Sequence, residues 1–388
     1  MSAFPLEPAR TIREVVVTQR RLTHYRVPFF ECLRNELAER RIRLRLVHGE
    51  PTAAERSKND CGHLPWAIQV PTRYWLAGRL CWLKQSKAVT GAELVVLTPE
   101  NKMLSNLPLQ YFSLRQRIVL WGHGANLQGN PASLRERFKR VVARRADWWL
   151  GYTDMSAPLI AQSGFPCNRT TILQNAVDTT ALTQMSAAVT ADARAALRQR
   201  LGLQHDRVGI YLGSLYHEKR IAFLLDAALK IRARMPEFEL LIVGGGAQQA
   251  EVESFCAQHD WAHYLGVCKD AAKVQALSLA RVMLNPGLVG LGILDSFACG
   301  VPMITTDCGL HSPEIAYLRN GENGMMTANN EDSFVSACTA VLADPALHLR
   351  LAEGCAESAR RYTIANMARN FADGIEQCLA APPYRGAA

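Results

Sequence analysis

The stretch that decides the fold is VGIYLGSLYHEKRIAFLLDAALKIRARMPEFELLIVGGG, residues 208–246. Val208–Leu212 is an apolar run of strand length, with no polar alternation, as expected for a strand buried on both faces. A loop follows, then helical periodicity over Ile221–Arg234, then a second apolar run, Glu239–Val243, closed by three glycines. Strand, helix and strand in this order predict a parallel pair joined by a crossover helix. The alternation continues downstream. The sequence predicts a helix over Gln248–Gln258, a strand at Val282–Leu284, a helix over Gly292–Cys299 and a strand at Val301–Thr305. Helices over Asp332–Ala343 and Ala346–Arg361 follow. Upstream the same rhythm is fainter: strands at Glu14–Thr18, Arg43–His48, Leu94–Leu97 and Ile118–Trp121, and a helix over Phe29–Arg40.

The chain of 388 residues exceeds one ordinary domain. The lapse of apolar periodicity around Asp178–Ala193 predicts a linker there, and the last residues, APPYRGAA, predict a frayed end. Hydrophobic residues make up 48% and charged residues 20%, which excludes a mainly disordered chain. No apolar run approaches the roughly 18 residues of a membrane span. The nearest, Val282–Leu294, is interrupted by Asn285, Pro286 and three glycines. The opening MSAFPLEPARTIREVVV has no apolar core of a secretory signal. The 11 cysteines include no CxxC pair, so they read as reduced thiols of a cytosolic protein.

The net charge of +9 is unevenly placed. Residues 1–190 carry 26 Lys/Arg against 14 Asp/Glu, whereas residues 191–388 carry 18 against 21. The whole surplus lies in the first half, which suggests two domains with different partners.

Ligands of open α/β sheets bind beyond the carboxyl ends of the strands, so the loops there are the candidates. Gly213–Arg220 (GSLYHEKR) follows a strand and places Lys219 and Arg220 at a helix start, where cations and the helix dipole together favour an anion. Alone, this pattern is as readily a solvated helix start. Gly244–Gly246 departs from GxGxxG and reads first as a tight turn. Asn285–Pro302 (NPGLVGLGILDSFACGVP) concentrates Gly287, Gly290 and Gly292 before a helix carrying Asp295 in its first turn. Backbone amides there suit a sugar and its phosphate, and Asp295 suits hydroxyls. Its plainer role is to offset the helix dipole. In the basic half, Trp121–Asn130 (WGHGANLQGN) sets His123 between glycines at a strand end, followed by Asn126. Such a histidine can bond a hydroxyl or shuttle a proton, although a lone histidine is more often structural.

Together these loops resemble family 4 glycosyltransferases, retaining enzymes of GT-B fold. GSLYHEKRIAFLLDA is similar to the family's G-R-L-x-x-x-K-G loop and L-L-x-A helix. GLVGLGILDSFACGVP is similar to its Glu-x7-Glu signature. ADWWLGYTDMSAPLIAQSGFP, ILQNAVDTTAL, GENGMMT and a closing helix around Tyr362–Ile375 agree too, leaving residues 50–110 least alike. The resemblance implies two Rossmann-like doubly wound domains facing across a cleft. Their expected bounds are 1–182 for an acceptor-side domain and 190–362 for a nucleotide-sugar domain, with a helix near 363–380 returning to the first. It implies that Lys219 binds the leaving diphosphate, that Asp295 contacts the nucleotide ribose, and that His123 lies near the transferred sugar. Two positions depart from the family: its first Glu aligns with Gly287, and its loop Arg with Ser214 beside Gly213. This predicts a variant subgroup in which Gly290 and Leu291 amides hold the sugar and Arg220 supplies the missing cation.

The implied reaction moves a sugar from a nucleotide-diphosphate sugar to an acceptor hydroxyl with retention. No DxD pair occurs, so no cofactor and no obligate metal are expected. Leu134–Trp149 has six Lys/Arg between Arg135 and Arg145 around apolar residues at helical spacing. Arg73–Lys87 sets Leu76, Leu80 and Leu83 on one helical stripe near Trp75 and Trp82. Either alone reads first as a core-facing helix. With the charge split they predict peripheral contact with the inner face of an anionic cytoplasmic membrane and a lipid-linked acceptor. Arg20, Arg21, His24, Tyr25 and Arg26, after the first strand, are candidates to face an acceptor phosphate or the cleft, with some of them simply surface residues. One alternative is a GT-B sugar-nucleotide epimerase, told apart by a free epimerised sugar as product. Another is a nucleic-acid-binding protein using the basic half, although no nucleic-acid module is visible.

Overall fold

A computed structural model describes residues 12–56, 60–113, 115–124 and 141–384. The chain forms two compact units, one of residues 1–174 with 364–388 and one of residues 175–363.

In the first unit the strands are β1 (Arg13–Gln19), β2 (Ile42–His48), β3 (Ile68–Gln69), β4 (Thr72–Trp75), β5 (Leu80–Leu83), β6 (Leu94–Leu97), β7 (Arg117–Gly122), β8 (Trp148–Gly151) and β9 (Thr170–Ile172). Seven of them make a parallel sheet in the order β3-β2-β1-β6-β7-β8-β9. Val15, Val16 and Val17 of β1 are fully buried, as are all four residues of β6. The apolar runs are thus strands covered on both faces. The helix Val27–Glu39 sends Phe29, Phe30, Leu33 and Leu37 inward, at the i, i+3, i+4 spacing of an amphipathic helix. The helix Ile364–Ala380 packs against it and buries Met367, Phe371 and Ile375.

In the second unit the strands are β10 (Arg207–Leu212), β11 (Phe238–Val243), β12 (Ala262–Tyr264), β13 (Val282–Leu284), β14 (Met303–Thr306) and β15 (Gly324–Thr327). They form a parallel sheet in the order β12-β11-β10-β13-β14-β15. The sheet order reverses between β10 and β13, and in the first unit between β1 and β6. In doubly wound sheets ligands bind at that reversal. The core of the second unit gathers around Tyr211, Leu240, Ile242 and Leu284 with the helix Ile221–Arg234.

Three expectations are corrected. The lapse at Asp178–Ala193 is not a linker but two helices, Thr179–Ala187 and Ala191–Leu201, capped by Asp178 and Thr190. The first packs on Gly292–Cys299 and Pro345–Arg361, so the division falls after Gln174 rather than at 182–190. Arg73–Lys87 holds an antiparallel hairpin of β4 and β5. Leu76 and Ala77 have φ of +52° and Gly78 +83°, which turns the chain where a helix would continue. Finally, Trp148 and Trp149 belong to β8 and are buried, so they close no interfacial helix. The basic stretch 134–140 lies outside the described residues. Among the described residues no single helix is long and apolar enough to cross a membrane.

Candidate functional site

The loops that follow β10 and β13 straddle the reversal of the second sheet. After β10 the chain turns at Gly213 and Ser214, with the Tyr211 hydroxyl donating to the Ser214 carbonyl at 2.9 Å. Ser214 is exposed. A 3-10 turn, His217–Lys219, then leads into the helix Ile221–Arg234. The loop Gly244–Gly246 serves this turn. A Cβ on Gly244 would lie 1.7 Å from the Gly213 carbonyl oxygen, and one on Gly246 2.3 Å from that of Leu215. The glycines let two loops lie backbone on backbone, joined by Leu215 N–H to the Gly245 carbonyl at 3.0 Å.

Gly287 repeats this on the other side. Its Cβ position is 2.5 Å from the Glu218 carbonyl oxygen and 2.6 Å from that of Lys219. The Leu288 N–H donates to the Glu218 carbonyl at 2.9 Å, and the Lys219 ammonium donates back to the Leu288 carbonyl at 2.5 Å. A side chain at 287 and this turn exclude each other. Gly287 is therefore part of the clasp that holds Lys219. Burial pushes the Lys219 ammonium down to about 8, against a smaller upward pull from Cys308. A buried ammonium with one neutral acceptor among the described residues suits an incoming anion.

Arg220 has a different place from that expected of a free cation. It adopts φ +58°, a conformation that costs a non-glycine residue roughly 1 kcal/mol. Its guanidinium donates to the Thr306 hydroxyl at 3.0 Å, the Asn329 side-chain oxygen at 2.5 Å and the Pro286 carbonyl at 3.3 Å. It also stacks on Phe223 at 4.2 Å. Arg220 thus binds the ends of three segments together.

Gly290 and Leu291 sit at the start of the helix Gly292–Cys299, and their amides meet no protein acceptor among the described residues. They remain available donors at a helix N-terminus. Asp295 is not free. Its carboxylate accepts from the Lys273 ammonium at 2.6 Å, which leaves its other oxygen for a hydroxyl. Lys273, from the helix Asp270–Leu277, was absent from the sequence-based set because only the fold brings it there. The loop after β14 adds His311, whose Nδ1 accepts from the Val289 N–H at 3.1 Å and whose Nε2–H donates to the Thr306 carbonyl at 2.8 Å. The Cys308 sulfur lies 3.6 Å from that Nε2. Burial raises the Cys308 thiol, but bonds from His311 and the Leu310 backbone, with the nearby imidazole and the charge of Arg220, bring it below its ordinary value. The rule that ligands gather at strand ends applied equally to this loop and would have found both residues. Among the described residues no group of three His, Cys, Asp or Glu side chains is placed to hold a metal ion.

In the first unit His123 lies exposed just past β7, its ring 4.4 Å from that of Tyr152. The flanking glycines are required by packing. Cβ atoms at 122 and 124 would come within 2.8 Å of Pro99 and 2.7 Å of Ile160. Arg26 is buried at 6% exposure among aromatic rings. Arg20 and Arg21 are corrected as ligand cations: Arg20 pairs with Glu55 at 2.6 Å and Glu100 at 3.3 Å, Arg21 with Asp60 at 2.6 Å. These pairs close the loop after β1 instead. Asn126 lies outside the described residues.

Residues 206–344 match the family described as glycosyl transferases group 1. The chain is 28% identical over 160 residues to a phosphatidyl-myo-inositol mannosyltransferase of Mycobacterium leprae, a match covering 39% of this chain and 42% of the relative. It is 26% identical over 208 residues to a D-inositol 3-phosphate glycosyltransferase of Stackebrandtia nassauensis, covering 48% and 46%. The chain thus spans less than half the length of the curated relatives it matches. Among solved structures, HepE of Anabaena in complex with UDP-glucose superposes with a TM-score of 0.69 at 15% identity, over 94% of this chain and 99% of that one. Sucrose-phosphate synthase of Thermosynechococcus elongatus does so at 0.71 and 16%, over 95% and 100%. These likenesses show the GT-B fold of two Rossmann-like domains.

Proposed function

With a GT-B fold and a group 1 glycosyltransferase match over its second unit as premises, we propose that the chain is a glycosyltransferase. It moves a sugar from a nucleotide-diphosphate sugar to an acceptor hydroxyl with retention, as a variant subgroup of family 4. The acceptor is a lipid-linked glycan or polysaccharide precursor. The observation that carries the reading is the buried Lys219 ammonium, clasped by the Leu288 carbonyl at the reversal of the sheet.

The chemistry follows from charge. Departure of the sugar leaves negative charge on the diphosphate, and a fixed cation in a partly dry site stabilises it most where that charge develops. Lys219 supplies the cation, and the amides of Gly290 and Leu291 supply donors for the sugar and its phosphate. Asp295 keeps one oxygen for the ribose while Lys273 holds the other. Arg220 acts on this site by holding the turn and Thr306 together. His123 stands on the acceptor side. No metal is assigned a role.

The exposed face of the β4–β5 hairpin supports contact with an anionic membrane. Trp75, Leu76 and Trp82 are 45%, 68% and 38% exposed, among Arg73, Arg79 and Lys84. Tryptophan beside basic residues is the composition of an interfacial anchor. It replaces the amphipathic helix expected for this segment.

The test is a thermal-shift panel of UDP-, GDP- and dTDP-sugars, followed by product analysis with the donor that binds. The expected result is donor-dependent formation of an α- or β-glycoside retaining the donor's configuration, lost in Lys219→Ala. Undiminished turnover in that variant, or a free epimerised sugar as the product, would sink the reading.

A further inference from the structure

The first sheet ends unevenly. Its outermost strand, β3, is two residues long and pairs only with Val47 and His48 of β2. Among the described residues no strand pairs with the outer edge of β2 before Val47. A cavity of about 700 Å³ opens there, inside the range of about 300–1,000 Å³ usual for small-molecule sites. Consecutive residues of the chain, Arg41 to Leu44, line it, with Arg34 of the helix Val27–Glu39, Ile12 and Trp66. One face of a strand would offer alternate residues, so the consecutive run marks an open edge. Ile12 precedes β1 and Arg41 precedes β2. The cavity therefore lies at the amino ends of these strands. The loops argued above to carry the transfer, including that of His123 after β7, lie at the carboxyl ends.

Three guanidiniums share this cavity. Among the described residues neither Arg34 nor Arg41 pairs with a carboxylate. Glu36, Asp373 and Glu376 are taken by Arg40, the residue before Arg41. Arg43 has Glu14 at 3.3 Å, but its side chain stays 63% exposed and Glu14 is shared with Arg45 at 3.0 Å. Arg41 also adopts φ +58°, at a cost of roughly 1 kcal/mol for a non-glycine residue. Charge alone would only guard an open edge against pairing. Here one charge is fixed in place. The Arg34 guanidinium lies 4.8 Å from the centre of the Trp66 ring, and the indole N–H is anchored on the Glu31 carboxylate at 3.0 Å. Ile12, 54% exposed, adds apolar surface to the same cavity. We propose that this cavity binds a small amphipathic anion, an apolar body carrying a phosphate or a carboxylate. Guanidiniums bind both groups through paired N–H donors, and the indole and Ile12 cover the apolar body. The site is separate from those of donor and acceptor, and it stands whether or not the chain transfers a sugar.

The experiment titrates the full chain with octyl phosphate, octanoate, octanol and inorganic phosphate, each with and without UDP, and reads binding by calorimetry at two salt concentrations. The expected result is binding of octyl phosphate or octanoate that weakens with salt and is unchanged by UDP. Octanol and inorganic phosphate should each bind at least tenfold more weakly, since each offers half of the chemistry. Preference between the two anions assigns the charged group. Arg34→Met with Arg41→Met should weaken binding tenfold or more, and Trp66→Ala should weaken it severalfold. Arg194→Met with Arg200→Met makes the same change of net charge on an exposed helix of the second unit and should leave binding as in the wild type. Both arginines at the cavity are exposed, so the double variant should fold, which its melting temperature checks. Equal affinity in wild type and the Arg34/Arg41 variant, octanol binding as well as the anions, or no binding of either anion overturns the proposal. Tighter binding of the extended acidic peptide acetyl-EVEVE-amide also overturns it and assigns the edge to strand addition.

Discussion

Placing any side chain at position 287 should damage the protein. Replacing Gly287 by alanine adds one methyl whose carbon would sit 2.5 Å from both the Glu218 carbonyl oxygen and the Lys219 carbonyl carbon. Both are backbone atoms, so the contact cannot be relieved by rotating a side chain, and one of the two loops has to move. Overpacking of this kind costs about 1–3 kcal/mol. Moving the turn also breaks the bond from the Leu288 N–H to the Glu218 carbonyl, worth about 1 kcal/mol. The sum is about 2–4 kcal/mol, which for a unit of this size lowers the melting temperature by roughly 5–12 °C. Displacing Lys219 has a separate consequence. A hydrogen bond to a charged group contributes about 1.5–3 kcal/mol, so diphosphate affinity should fall roughly tenfold to a hundredfold. Differential scanning calorimetry gives the first quantity and titration with UDP the second. Gly287→Glu should be at least as damaging as Gly287→Ala. If Gly287→Ala melts with the wild type and binds UDP equally well, the clasp does not hold Lys219. A gain of activity in Gly287→Glu would refute it outright.

Donor affinity should depend on pH through Lys219. Its ammonium is charged below about 8, and burial is what lowers it from 10.5. Affinity should therefore be level below pH 7 and fall as pH rises through 8, and Lys219→Arg should abolish the fall. The same depression costs the folded ligand-free chain about 3 kcal/mol below pH 8. That cost is relieved as pH climbs from 8 towards 10.5, where only the unfolded chain keeps the proton. Calorimetry across that window should show ligand-free stability rising relative to Lys219→Met. Trp75→Ser with Trp82→Ser should reduce flotation with vesicles containing anionic lipid and leave UDP binding unchanged. Flotation independent of anionic lipid in the wild type would remove the hairpin as an anchor.

Much of the second unit was legible because its strands are buried on both faces and so read as plain apolar runs, as at Val208–Leu212 and Glu239–Val243. The helix Ile221–Arg234 announced itself by period. The hairpin misled because Leu76, Leu80 and Leu83 also fit a helical stripe. The competing signal was local: RYW and LCWL alternate, and Gly78 closes a turn between them. The helices over 179–201 were missed because one presents only Thr179 and Leu182 to the core, and the other only Leu197. The strand-end rule pointed to Lys219, Gly287 and Asp295 as residues of the site. It had no access to what they touch. Lys273 meets Asp295 across 22 positions, and Arg26 meets Trp121 across almost a hundred. Such pairs exist only once the sheet order is known.

The helix Ile364–Ala380 has a consequence for how the chain comes to be folded. It belongs to the first unit, and Gly374 packs so closely that a Cβ there would lie 2.5 Å from Leu150 in β8. The second unit is one uninterrupted segment, residues 175–363. On the ribosome, where domains fold as they emerge, the second unit is whole before the first. The first, although most of it is made earlier, waits with the faces of Phe29 and Trp121 uncovered until Phe371 arrives to meet both rings. The later half of the molecule is thus the earlier to mature.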